Sequence, residues 1–198
     1  MTNRKQYFIH DNAIVETVDI GEDTRIWAFC NVQKGARIGA SCNICDHSFV
    51  ENNVVIGDGV TVKNGVSLWD GVVIEDRVFI GPNAVFTNDI RPRSRVSKPQ
   101  FDRTLVKEGA TIGANATIVA GHTIGRYAFI GAGAVVTSDV PDFEVWFGNP
   151  ARHQGYVCKC AERFEFATGG EEVILATCSC GLQYRLVDGT VQLVASGG

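Results

Sequence analysis

Residues 106–136 read VKEGATIGANATIVAGHTIGRYAFIGAGAVV, and Val106, Ile112, Ile118, Ile124, Ile130 and Val136 fall on every sixth place. Stepping by six from Ile20 gives Ile26, Val32, Ile38, Ile44, Val50, Ile56, Val62, Leu68, Ile74, Ile80 and Phe86. Seventeen of these eighteen positions are Ile, Val or Leu, where composition alone would give about a quarter. Four residues after each such rung the side chain is small or β-branched, from Thr24 and Cys30 to Ala134 and Val140, with Ile90 and His122 as departures. Glycine often follows the rung, as at Gly21, Gly39, Gly57, Gly81, Gly113, Gly125 and Gly131, which fits a backbone that turns sharply at short intervals.

Two inward positions per hexad make one flat side of a prism, and three sides close a coil of eighteen residues stacked about 4.8 Å from its neighbours. The fold class is therefore all-β, a parallel solenoid. Residues 20–91 and 106–141 supply its coils, and Phe8 and Ile14 continue the frame backwards into a partial one, for about six to seven in all. The segment PRSRVSKPQFDRTL, residues 92–105, interrupts the frame. A polar and basic excursion in a regular solenoid is usually functional, because a neutral connection there is shorter.

The 198 residues carry a net charge of −4, and the basic residues form no long run, so neither nucleic acid nor an anionic membrane surface is indicated as a partner. The start, MTNRKQYFIHDNAIVE, lacks an apolar signal core and no stretch approaches membrane-spanning length, so a cytoplasmic protein with reduced cysteines is expected. Twenty-two glycines and a single methionine suit a β solenoid better than a mixed α/β core.

The pattern resembles the hexapeptide-repeat acyltransferases, and the resemblance implies a left-handed hand, homotrimers and acyl-CoA bound between adjacent subunits. The segments NICDHSFVEN (43–52), LWDGVVIEDRVFIGPNAVFTND (68–89) with RPRS (91–94), GANATIVAGHTIGRYAFIGAGAVVTSDVP (113–141) and FGNPAR (147–152) resemble more narrowly the branch that N-acetylates nucleotide-linked 3-amino sugars. That branch implies an acetyl-CoA-dependent N-acetyltransferase acting on a UDP- or dTDP-linked amino sugar for surface polysaccharide. One departure is Ala28, where many branch members carry histidine.

In O-acetyltransferase relatives a histidine before a proline in the corresponding loop is the general base, whereas here Arg91 precedes Pro92. A hydroxyl needs such a base. A sugar amine, titrating near the α-amino value of about 8, is partly neutral at pH 7 and can attack unaided. Lys34, Asn52, Asp70 and Asn88 lie eighteen apart and are expected to stack, with Asn88 and Asp70 as candidate catalytic residues that orient the amine or the thioester oxygen. A solvated outward ladder is the alternative. Trp69, Asp89, Arg91 and Arg93 are the candidate substrate contacts, and Arg95 joins the arginines as a candidate for phosphate. The resemblance places acetyl-CoA against Ala114, Ala132, Gly133 and Arg152. His122, in an inward small-residue place, reads as a buried histidine first and a competing base second.

After FGNPAR the repeat stops. Cys158-Lys-Cys160 and Cys178-Ser-Cys180 flank alternating residues (Phe164, Phe166, Val173, Leu175, Tyr184, Leu186) and resemble a zinc ribbon, although C-x-C replaces the usual C-x-x-C. Residues 1–152 are thus expected as the acyltransferase solenoid and 153–198 as a small Cys-rich unit with zinc as a structural metal, a metal-free hairpin unit being the alternative. Cys30, Cys42 and Cys45 lie in coils, the first two facing inward. An O-acyltransferase of the same fold and a non-catalytic scaffold are the competing functions. A γ-class carbonic anhydrase fails because, of His10, His47, His122 and His153, neither the first nor the last lies in the regular coils.

Overall fold

A computed structural model describes residues 6–96, 98, 100–167 and 173–194, and every regular element among them is β. No helix there is long and apolar enough to cross a membrane. Strands of two or three residues stack into three parallel faces. The first begins at Phe8–Ile9 and passes through Arg25–Ile26, Asn43–Ile44, Thr61–Val62, Phe79–Ile80, Thr111–Ile112 and Phe129–Ile130 to Glu144–Gly148. The second runs from Ile14–Val15 to Val135–Val136, and the third from Arg37–Ile38 to Thr123–Ile124. Partners are eighteen residues apart, as in Asn43 with Thr61 and Thr61 with Phe79, so the expected β-helix is the fold.

All eighteen rung side chains are at most 2% exposed and form one continuous core. Each removes an aliphatic or aromatic group from water, a gain of roughly 1.5–3 kcal/mol per large side chain. The small residues four places on fill the remaining space, with Ala110, Ala116, Ala128 and Ala134 fully buried.

Four details differ from the sequence reading. The first face reaches eight rungs, more than six to seven coils, because Phe8–Ile9 and Glu144–Gly148 both join it. At the start the frame is one residue out: Ile9 pairs with Ile26 and Val15 with Val32, leaving Phe8 and Ile14 outward at 45% and 61% exposure. The step from Val15 to Ile20 is five residues where the frame needs six, and a one-residue slip on a strand turns every side chain to the other face.

The third difference concerns the glycines after the rungs, which do not carry the turns. The left-handed residue sits two places later, as at Asp23, Phe29, Ser41 and His47, with φ between 55° and 60°. At Gly113 the reason is instead close stacking, since a Cβ there would lie 2.5 Å from the Ala132 nitrogen of the next coil. Finally, the coil resumes at Thr104–Val106, inside the span read as loop. Phe79 pairs with Thr111, thirty-two residues on, so fourteen residues are extra. Thr104 pairs with Val72 and fills the inward place that Ile90, 50% exposed, leaves open. The Thr104 hydroxyl is buried without a partner among the described residues.

Candidate functional site

The corner between the second and third faces holds the polar ladder. Asn52 Nδ2 donates to Gln33 Oε1 at 2.7 Å, and Gly35 N–H donates to Asn52 Oδ1 at 3.3 Å. The Asp70 carboxylate accepts from the Asn53 backbone N–H at 2.8 Å and from Asn53 Nδ2 at 3.0 Å, while its own N–H donates to Glu51 at 2.7 Å. Asp70 is therefore fixed by the coil below it. Each of its oxygens keeps a lone pair for a further donor. It lines an open cleft of about 700 Å³ with Arg37, Asn53, Gly71, Phe101 and Arg103. Trp69 packs against the core and against the Phe49 ring at 5.2 Å.

Asn88 stands at the neck of the inserted loop, where its carbonyl accepts from Asp102 N–H at 3.0 Å and Asp102 Oδ2 accepts from Ile90 N–H at 3.4 Å. Gly71 lets the returning strand approach: its φ is +93°, its carbonyl accepts from Thr104 N–H at 3.0 Å, and a Cβ would come within 3.1 Å of the Asp102 carbonyl. Asp89 forms an ion pair with Lys98 and accepts from Arg91 N–H at 2.7 Å. The Lys98 ammonium, and after it the Arg91 N–H, holds this carboxyl below the usual aspartate range. The side chains of Arg91, Arg93 and Arg95 are exposed and have no carboxylate partner among the described residues, so three full positive charges line the loop.

His122 lies one coil above in the same corner. It is not the buried residue expected: its side chain is 27% exposed and Nδ1 lies 3.5 Å from Asp139 Oδ1. The coils below fill this column's inward place with Thr104 and Val72, and the larger imidazole stays partly exposed beside Asp139. Arg37, Phe101, Arg103, Asp102 and Lys98 escaped the sequence reading. Arg37 carried a usable signal, since it stacks eighteen residues from Val55 on the outer surface. The excursion at 92–105 marked the loop as a segment but singled out none of these side chains, because only the fold brings the loop back onto the third face.

A different corner, between the first and second faces, holds Ala114, Ala132 and Gly133. Gly133 N–H donates to the Ala114 carbonyl at 2.8 Å, so the three stack on consecutive coils. The N–H groups of Ala114 and Ala132 have no acceptor among the described residues. At the corner after the third face the matching N–H groups are capped: Ala40 by Asp58, Asp58 by Asp76, Glu108 by Glu75 and Arg126 by Asp142. Free donors beside small side chains form an edge onto which an amide-bearing chain can lie. Phe147 covers Gly131 at its top, and Arg152, exposed, pairs in register across from Phe147. One chain thus keeps the Asp70 and Asn88 corner apart from the Ala114 and Ala132 corner.

Beyond the last coil, Ala151–Val157 turns back antiparallel on Glu144–Gly148, and Arg163–Phe164 pairs with it. A separate three-stranded sheet comprises Val173–Thr177, Gln183–Val187 and Thr190–Leu193. Between them these hairpins bring Cys158, Cys160, Cys178 and Cys180 together, all four free. The Cys180 N–H leads the influences that draw the Cys178 thiol down to about 7, while burial raises Cys158. Cys30 and Cys42 are buried in the solenoid core, as read.

The bacterial transferase hexapeptide family (six repeats) matches residues 53–88 and 103–138, the two runs on either side of the loop. Over 184 residues, 93% of this chain and 93% of the relative, the sequence is 56% identical to the dTDP-3-amino-3,6-dideoxy-α-D-galactopyranose 3-N-acetyltransferase of Aneurinibacillus thermoaerophilus. A hexapeptide-repeat-containing acetyltransferase of Vibrio cholerae, solved in complex with acetyl coenzyme A, superposes with a TM-score of 0.55 at 27% identity, covering 62% of this chain and 70% of that one. A maltose O-acetyltransferase of Clostridium difficile shares the fold, with a TM-score of 0.50 at 22% identity over 78% and 68% of the two chains. With rungs, interruption and relatives in agreement, the chain belongs to the bacterial transferase hexapeptide family.

Proposed function

We propose that the chain transfers an acetyl group from acetyl-CoA to the 3-amine of a dTDP-linked 3-amino-3,6-dideoxyhexose. The observation that carries this is the 56% identity, across 93% of both chains, with an enzyme named for that reaction. The absence of histidine at the Arg91-Pro92 junction supports an amine over a hydroxyl as acceptor. The neutral amine attacks the thioester carbonyl carbon, the C–S bond breaks, and the departing thiolate takes the proton the nitrogen sheds. Asn88 orients the amine, Asp70 holds an ammonium or a sugar hydroxyl, and Trp69 and Asp89 shape the loop around the sugar. Arg91 and Arg93 meet the diphosphate. Ala114, Ala132 and Gly133 receive the pantetheine arm, with Arg152 near a phosphate of CoA.

Because the two sets of residues occupy different corners, we assign the working unit as a homotrimer in which one subunit's Asn88 corner faces the next subunit's Ala114 corner. We keep residue 152 as the proposed boundary because the repeat ends before it and most of the cluster around Tyr184 lies beyond it, with Phe143 joining that cluster from the solenoid side and the strand Ala151–Val157 bridging the two. The enzyme's place is the cytoplasm, where nucleotide sugars and acetyl-CoA meet.

A second reading rests on the His122 and Asp139 pair, whose exposure and position in the Asn88 corner suit a general base. Replacement separates the two. Asn88→Ala is expected to lower turnover by about 10²-fold, in the range of a lost oxyanion-type donor, with little change in the KM for acetyl-CoA. His122→Ala should leave turnover within a few fold. The reverse pattern would move the chemistry to His122.

A further inference from the structure

We infer that Cys158, Cys160, Cys178 and Cys180 form a tetrathiolate zinc site that clamps the two C-terminal hairpins together and seats them on the last coil. The four Sγ atoms lie within 4.8 Å of one another, with Cys158 to Cys180 at 3.5 Å and Cys160 to Cys178 at 3.6 Å. A disulfide would place sulfurs about 2.0 Å apart. Four sulfurs around Zn²⁺ at about 2.3 Å sit about 3.8 Å from each other, a few tenths of an ångström from the two spacings above.

Two further observations are independent of those distances. The cysteine pairs sit on matching turns: Cys158 N–H donates to Glu162 and Ala161 N–H to Cys158, each at 2.9 Å, and Cys178 N–H donates to Leu182 and Gly181 N–H to Cys178, each at 2.9 Å. The residue after the second cysteine is left-handed in both, with φ of 71° at Ala161 and 90° at Gly181. Alanine seldom adopts that conformation, so the first turn is held against a local cost.

The Tyr184 hydroxyl, fully buried, accepts from Lys159 N–H at 3.0 Å and donates to Cys158 Sγ at 3.1 Å. A hydroxyl donating to a metal-bound thiolate is the outer-layer support such sites use.

This cluster is also where the unit is joined to the solenoid. The Tyr184 ring stacks on Phe164 at 4.6 Å and meets Phe143 edge-on at 5.3 Å, and Phe143 stacks on Tyr127 of the preceding coil at 5.5 Å. Lys159, between the first two cysteines, places its ammonium 4.7 Å from the Tyr127 ring centre. Seven buried residues, two of them cysteines, make up this core, which is small for independent stability without a metal. The ligands are soft thiolates with no oxygen donor among them, which favours zinc over calcium or magnesium.

The test is metal analysis of the intact protein purified under reducing conditions, followed by replacement with Co²⁺. About one zinc per chain is expected, with thiolate-to-cobalt charge transfer and the strong visible bands of a tetrahedral sulfur site. Chains without metal that take up neither Zn²⁺ nor Co²⁺ would overturn the assignment. So would iron as the resident ion, or the four cysteines trapped as two disulfides by alkylation and mass spectrometry. The Cys160→Ser, Cys180→Ser double variant should lose zinc and expose the segment after residue 152 to protease while the solenoid persists, and Cys30→Ala should keep its zinc. Tyr184→Phe, which conserves the ring, should weaken zinc retention against a chelator by about 10-fold or more. Unchanged retention would remove the Tyr184 hydroxyl from the site.

Discussion

The solenoid and the C-terminal unit solve the same problem in opposite ways. The solenoid spreads its stability over a repeating core running from Ile20 to Val140, in which every coil is buttressed by its neighbours. The C-terminal unit concentrates its stability on Tyr184, Phe164 and four cysteines, packed against Phe143 of the solenoid. Loss of one rung in the first should weaken a stack, whereas loss of one point in the second should release the whole unit. The difference shows why one region announces itself through a period and the other only through two short cysteine motifs.

Ile112→Ala strikes the solenoid at a fully buried rung and is expected to cost about 2–5 kcal/mol in urea unfolding. Val18→Ala, at 81% exposure, should change stability by less than about 0.5 kcal/mol. Equal losses would contradict a solenoid held by its buried rungs. Gly113→Ala tests the stack itself, because the new Cβ meets backbone 2.5 Å away. A cost of about 1–3 kcal/mol and a raised KM for acetyl-CoA are expected, read by thermal melting and initial rates.

The smallest effect belongs to the loop that the repeat does not cover. With its carboxyl held low by Lys98, Asp89 should titrate below the ordinary aspartate range in a carbon-13 NMR titration, and Lys98→Ala should raise it toward that range, the Arg91 N–H still holding it down in part. The sign follows from the lowered folded pKa: the pair's contribution is present above the unfolded value and is lost as pH falls through the folded one.

The rungs were legible because one chemical choice recurs every sixth residue, so single exceptions could not hide the frame. Where one residue was missing, before Ile20, the same frame misassigned Phe8 and Ile14, since periodicity carries no warning of a slip. Glycines after rungs were visible, but their cause was not: contact with the next coil is a property of stacking and cannot be read along the chain. The ladder through Asp70 followed from the eighteen-residue register. Arg37, Phe101 and Arg103 around it did not, because the inserted loop meets the third face only once folded. His122 misled for a related reason, its inward place in the frame being overruled by its size and by Asp139.

Amine acetylation of a nucleotide-linked 3-amino sugar is the reaction proposed for this chain. The most direct measurement follows free thiol released from acetyl-CoA with dTDP-3-amino-3,6-dideoxygalactose as acceptor, with simple sugar alcohols in parallel. Release is expected with the amino sugar alone, rising with pH toward about 8 as the amine loses its proton. Release with the sugar alcohols and none with the amine would contradict it.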